Sequence, residues 1–151
     1  MFSIKGKVQR GLGEAHKTLK EQMPYFEKVC PELAKCQLGT INIRLEKPVV
    51  VVKPDFQTEA VPWHPALKLI KKGEKFSFVK VKLKVEGREA VDAWIYKAQF
   101  SPYREDPFII EVLAPRIDFS GTPDCSVEII SICHEGMIVI SDFNHRKNGN
   151  I

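Results

Sequence analysis

The sequence has no apolar run approaching the roughly 20 residues that a membrane-crossing helix requires. Its first residues, Met1-Phe2-Ser3-Ile4-Lys5-Gly6, hold no hydrophobic stretch of signal-peptide length. A cytoplasmic location is therefore expected, with no membrane among the partners. Cysteine is sparse: Cys30, Cys36, Cys125 and Cys133, with no Cys-x-x-Cys pair. Zinc ribbons and thioredoxin-type redox centres need that spacing, so reduced and mostly buried thiols are expected instead. His16, His64, His134 and His145 are equally dispersed, and His134-Glu135 lacks the second histidine at helical spacing of a zinc protease. No aromatic cluster alternates with the basic residues, so nucleic acid is not an expected partner. Internal repeats, low-complexity blocks and linkers are absent as well.

What remains is a chain of 151 residues, 44% hydrophobic and 28% charged. That is the balance of one globular domain, long enough to bury about two thirds of its unfolded surface. Lys+Arg 23 against Asp+Glu 19 leaves a formal charge of +4. This suits a phosphate-bearing small ligand and equally an ordinary basic surface. A monomer is compatible with the composition.

Strand signals dominate. Residues 4–8 are short and mixed. Ile41, Ile43 and Leu45 alternate with Asn42 and Arg44, and Val49–Val52 follows Pro48. Phe76–Glu86 is the clearest amphipathic strand, with Lys80, Lys82 and Lys84 on the face opposite Val79, Val81, Leu83 and Val85. Glu86-Gly87-Arg88 turns it into a second strand, where Val91, Ala93 and Ile95 share one face and Asp92, Trp94 and Tyr96 the other. Phe108–Leu113, Ser126–Ile132 and Met137–Ile140 complete the set. Helix is limited to Glu14–Glu21 and a short piece with Pro24 at its start, interrupted at Pro31. Residues 53–66, with three prolines, read as a surface loop. The reading is mainly β: a single closed or nearly closed β-barrel with a short helical insertion over 1–140, followed by a polar tail over 141–151.

Two clusters carry chemistry. Gly6-Lys7-Val8 leads into Gly11-Leu12-Gly13-Glu14-Ala15, a strand entering a Gly-x-Gly turn ahead of a helix. Glycines there let backbone N–H groups converge on a phosphate, although a plain tight turn has the same composition. It is neither a Rossmann fingerprint nor a Walker loop. Gly39-Thr40-Ile41-Asn42 opens a strand, and Thr40 and Asn42, two apart, share a face. A hydroxyl and an amide carbonyl are hard oxygen donors suited to Mg²⁺ that also holds phosphates. An edge-strand polar pair is the alternative.

Taken together, these clusters resemble the archaeal CTP-dependent riboflavin kinases. That family's pattern is Gly-x-Val-x-x-Gly-x-Gly-Glu-(Gly/Ala), then Pro-Tyr in a helical insertion, then Gly-Thr-Leu-Asn. This chain has Gly6-Lys7-Val8, Gly11-Leu12-Gly13-Glu14-Ala15, Pro24-Tyr25 and Gly39-Thr40-Ile41-Asn42. Ile109-Ile110-Glu111-Val112-Leu113-Ala114-Pro115 is similar to the family's Ile-Glu-Ile-Ile-Ala-Pro segment. The resemblance spans roughly residues 4–132. It implies a six-stranded cradle-loop (RIFT-like) barrel that moves the γ-phosphate of CTP to the ribityl hydroxyl of riboflavin, giving FMN. Gly11, Leu12, Gly13, Glu14, Ala15 and His16 would hold the nucleotide, with Arg116 either a displaced cation or a solvated loop charge. Thr40 and Asn42 would coordinate Mg²⁺. Glu111 would meet the flavin, and Ser101 or Tyr103 would stand in for the family's Thr-x-His element. A base is secondary in phosphoryl transfer, and Glu111 is the candidate for it, an outward strand residue being the alternative.

The departures fall on one side. Lys35-Cys36-Gln37-Leu38 replaces a proline and an aromatic before the Gly-Thr motif, and Arg116-Ile117-Asp118 replaces Leu-Arg after Ala-Pro. The phosphate and metal half is kept while the acceptor and base-reading halves are altered. Alternatives are the same chemistry on another small alcohol, a barrel that binds nucleotide or flavin without turnover, and, by fold analogy alone, a DNA-binding or interaction protein.

Overall fold

The computed structural model describes residues 2–9, 15–117, 119, 125–131 and 137–139. In chain order the elements begin with β1 (Phe2–Gln9), α1 (Ala15–Val29), a 3₁₀ turn (Pro31–Lys35) and β2 (Ile41–Leu45). Next come β3 (Val49–Val51), β4 (Phe56–Gln57), α2 (Pro65–Leu69), β5 (Phe76–Val85) and β6 (Val91–Ala98). β7 (Ile109–Leu113), β8 (Ser126–Ser131) and β9 (Met137–Val139) follow.

Six strands pair antiparallel in the order β5-β6-β7-β2-β1-β8, and β8 returns to the second half of β5 to close a barrel. The first half of β5 pairs instead with β4, and β3 and β9 form a separate two-stranded ribbon. The β5–β6 turn holds Gly87 at φ +78°, the left-handed conformation that glycine enters without a Cβ penalty. Alternation then sorts the side chains. Val79, Val81, Leu83, Ala93, Ile95, Ile43, Val112 and Ile129 fill the inside. Gly6 is buried in β1 where a Cβ would stand 2.7 Å from the Arg44 carbonyl oxygen, so β1 and β2 approach as they do because that position is glycine.

The outside of β5–β6–β7 is not wet throughout. Phe76, Phe78, Trp94, Tyr96 and Leu113 form a second core with Leu19, Met23, Phe26, Cys30 and Leu33. Phe26 is its centre, edge-on to Phe76 and Phe78 at 4.8 and 4.9 Å between ring centroids. The three lysines of β5 are on the outer face as expected, and each is engaged. Lys80 pairs with Glu32 and lies over Trp94, Lys82 pairs with Asp92, and Lys84 donates to the Arg88 carbonyl.

Two expectations need correction. Pro24 does not start a new helix: α1 runs unbroken through it. Proline removes one backbone hydrogen bond and crowds the preceding turn. Here Leu19, Met23 and Phe26 all lie on the buried face, while Pro24 is exposed, so burial outweighs the local penalty. The stretch 53–66 contains β4 and the first two residues of α2, of which Pro65 sits where a helix tolerates it and the Ala66 N–H is capped by His64 Nδ1. Residues 132–136, between the last two expected strands, and the tail 141–151 lie outside the described residues.

Two substitutions test this packing, both read by the midpoint of urea unfolding. Phe26→Ala is expected to cost about 3–5 kcal/mol through a cavity between helix and barrel. Pro24→Ala is expected to stabilise by about 1–3 kcal/mol, because it restores a helical N–H at an exposed position.

Candidate functional site

A row of side chains crosses the outer face of the sheet where β1, β2, β7 and β6 lie side by side. Gln9 faces Asn42, Asn42 faces Glu111, and Glu111 faces Tyr96. Directly opposed residues of antiparallel strands project from the same face, so these four polar groups are neighbours. Asn42 and Tyr96 are buried, and Glu111 is half-buried. The row continues into Phe78 of the second core, and α1 covers this part of it.

Each polar member has a partner. The Tyr96 hydroxyl donates to Gln22 Oε1 at 2.9 Å, placing a buried amide of α1 over the row. Thr40, just ahead of β2, donates from Oγ1 to Asn42 Oδ1 at 3.4 Å, a long bond that leaves two hard oxygens side by side. The predicted shared face of Thr40 and Asn42 is thus observed. Arg44 Nε donates to Gln9 Oε1 at 3.2 Å, and the Arg44 guanidinium reaches Asp106 at 3.7 Å.

Glu111 is held by the β6–β7 connection. Ser101 Oγ donates to Glu111 Oε2 at 2.7 Å and accepts the Tyr103 N–H at 3.1 Å. Ser101 and Glu111, chosen from the sequence as acceptor-side residues, therefore touch one another. Burial raises the Glu111 pKa above the ordinary carboxylate value, opposed by the Ser101 hydrogen bond and the positive charge of Lys97, with Glu74 pushing it up further. The space left against this carboxylate is a cavity of ≈ 20 Å³ bounded by Tyr96, Lys97 and Tyr103. It has room for about one water.

The remaining predicted residues sort by position. Gly11, Leu12, Gly13 and Glu14 lie outside the described residues. Their segment joins Gln9, which faces Asn42, to Ala15 and His16 in the first turn of α1. Arg116 is exposed two residues beyond Ala114, whose carbonyl accepts the Gln37 N–H at 2.9 Å, so the chain carrying it is tied to the approach to Thr40. Among the described residues, no group of three or more His, Cys, Asp or Glu could form a metal cage. A cation here would depend on the neutral oxygens of Thr40 and Asn42 and on oxygens of a ligand.

Cysteine chemistry is disfavoured. Burial raises the Cys30 pKa and pushes that of Cys36 up to about 11, so neither is a thiolate at neutral pH. Of the described cysteines only Cys30 is fully buried, whereas Cys36 and Cys125 are half-buried, short of the expected general burial.

Gln9, Gln22 and Tyr96 were not singled out from sequence. Gln22 carried a legible signal, since it falls at i+3 from Leu19, on the apolar stripe of α1. No family model matches this chain, and no curated protein does.

The raised pKa of Glu111 has a signed consequence. The folded state holds this proton more tightly than the unfolded chain does. Its contribution to stability is therefore full below the ordinary value of 4.5 and is lost as pH rises through the raised folded pKa. Glu111→Gln keeps an oxygen for Ser101 and abolishes the titration. It is expected to raise the melting temperature at pH 7 and to leave it unchanged near pH 4; thermal unfolding across that range checks both.

Proposed function

We propose that this protein is a metal- and nucleotide-dependent phosphotransferase whose acceptor is the primary alcohol of riboflavin, with CTP as donor and Mg²⁺ as the ion. The observation that carries the reading is the adjacency of Gln9, Asn42 and Glu111 on three neighbouring strands. The Gly-rich segment departs from Gln9, the two hard oxygens belong to Thr40 and Asn42, and the carboxylate stands across from Asn42. Phosphoryl transfer asks mainly for alignment, backbone donors on the transferred and leaving phosphates, and a cation to neutralise charge.

In this reading the segment 11–16 would cradle the phosphates, and Thr40 and Asn42 would hold Mg²⁺, which would supply charge neutralisation. Glu111 accepts the proton of the attacking hydroxyl through Oε1 or Oε2. A pKa raised above the ordinary carboxylate value brings that base closer to neutrality, where general-base efficiency is greatest. Arg116, exposed near the Thr40 approach, adds positive charge from the side.

A second reading, a barrel that holds a nucleotide or flavin without turnover, draws support from one feature. The Ser101 bond and the ≈ 20 Å³ of free space leave no room for a flavin ring at Glu111 as the β6–β7 connection stands. Turnover then requires that connection, residues 99–108, to shift.

Incubation with Mg²⁺, riboflavin and each of CTP, UTP, GTP and ATP, read as FMN by chromatography, separates the two. The kinase reading expects FMN from CTP, dependence on Mg²⁺, and a loss of about 10²-fold or more in kcat for Asn42→Ala. Absence of FMN with every donor removes it. In that case a melting temperature raised by nucleotide or riboflavin upholds the binding reading.

A further inference from the structure

The inner face of the sheet changes character at one end of the barrel. Along β5 the inward positions run Val85, Leu83, Val81 and Val79, and then Ser77. Along β6 they run Val91, Ala93 and Ile95, and then Lys97. Ser77 and Lys97 face each other in register, and Gln57 of β4 faces Ser77 from the other side. Three polar side chains therefore line up across three strands at positions where the alternation would place apolar ones. They open onto a cavity of ≈ 500 Å³.

The charge around this cavity is one-sided. Lys75, Lys97 and Arg104 line it, and among the described residues no carboxylate does. The Arg104 guanidinium is fixed by donation from Nη1 to the Ser101 carbonyl at 2.9 Å, and the Lys75 backbone N–H is held by Gln99. The contrast with the outer face of β5 is direct, because Lys80, Lys82 and Lys84 each have a partner there. Among the described residues neither Lys75 nor Lys97 has a carboxylate within ion-pairing distance. Lys97 senses Glu111 electrostatically but does not reach it. Val52 and Pro54 add apolar surface to its lining.

We infer that this mouth binds a small phosphorylated organic molecule, its phosphate held by Lys75, Lys97 and Arg104 and its body resting on Val52 and Pro54. Three cations with a hydroxyl and amide donors match the charge and acceptor count of a phosphate better than those of a single carboxylate. A barrel mouth of this volume is a usual place for a ligand of that size. Thr40 and Asn42 belong to the outer-face row and line no part of this mouth, so the inference does not rest on the metal site of the phosphotransferase reading, and only Lys97, Ala98 and Arg104 border both this mouth and the small cavity beside Glu111.

Phenyl phosphate, inorganic phosphate and benzyl alcohol serve as probes, titrated without Mg²⁺ into the full chain and followed by the backbone amide shifts of Gln57, Ser77 and Lys97. The expected result is saturable binding of phenyl phosphate, weaker binding of inorganic phosphate and none of the alcohol. Lys97→Gln is expected to weaken binding about tenfold, and Lys84→Gln, on the outer face, to leave it unchanged. Thr40→Ala is also expected to leave it unchanged, whatever its effect on FMN formation. No saturable shift at these amides overturns the inference, as does equal loss in the Lys84 and Lys97 variants. Abolition by Thr40→Ala does too, since the ligand would then belong to the other site. Equal affinity for inorganic phosphate would overturn the organic part of the ligand.

Discussion

Closure of the sheet through the β5–β8 pairing governs where chemistry can sit in this molecule. A closed six-stranded barrel has an interior just large enough for its own side chains, and here Val, Ile, Leu and Ala fill it. Polar groups are left with two places: the outer face or the mouths. The outer face is itself divided. α1 and the 3₁₀ turn cover β5, β6 and β7 with a second apolar core, and the polar row of Gln9, Asn42, Glu111 and Tyr96 runs from the margin of that cover beneath it.

Covering the row changes what its members can do. A carboxylate on an open strand face would titrate as in water. Under the β6–β7 connection Glu111 loses hydration, and Ser101 and Lys97 only partly offset that loss. The connection is pinned at several points: Arg44 to Asp106, Arg104 to the Ser101 carbonyl, and the Leu45 N–H to the Phe108 carbonyl. Glu74 adds another anchor. Its buried carboxylate accepts from Trp63 Nε1 at 2.9 Å and from the Phe100 N–H at 2.7 Å. Access to Glu111 is therefore set by a loop tied to two other parts of the chain.

The barrel was legible because its signals are local. The alternation in 76–85 and 91–98 and the glycine between them specify a hairpin and its two faces without knowledge of any other strand. The spacing of Thr40 and Asn42 likewise fixed their common face. The row was not legible, since Asn42 and Glu111 are far apart in the chain and meet only through inter-strand register. The path of α1 through Pro24 was misjudged for a related reason. Proline's penalty is local and visible, whereas the burial of Phe26 against Phe76 and Phe78 is neither. The mouth lay in plain view as Ser77 and Lys97, but its meaning depended on knowing which face of the sheet points inward.

Stability alone does not account for the polar row. A tyrosine hydroxyl and a glutamine amide buried against each other contribute about 1 kcal/mol net, while either one left unpartnered costs about 1–3 kcal/mol. A phenylalanine at position 96 and a leucine at 22 would bury comparable surface without that exposure to loss. The same holds for Asn42 and Glu111, where apolar residues would extend the second core and remove a carboxylate whose burial is unfavourable at neutral pH. Among the described residues no buried side-chain oxygen or nitrogen lacks a hydrogen-bond partner, so the arrangement is complete rather than a packing defect. A fully satisfied polar strip keeps its groups oriented before any ligand arrives, which an apolar surface of the same area would not do.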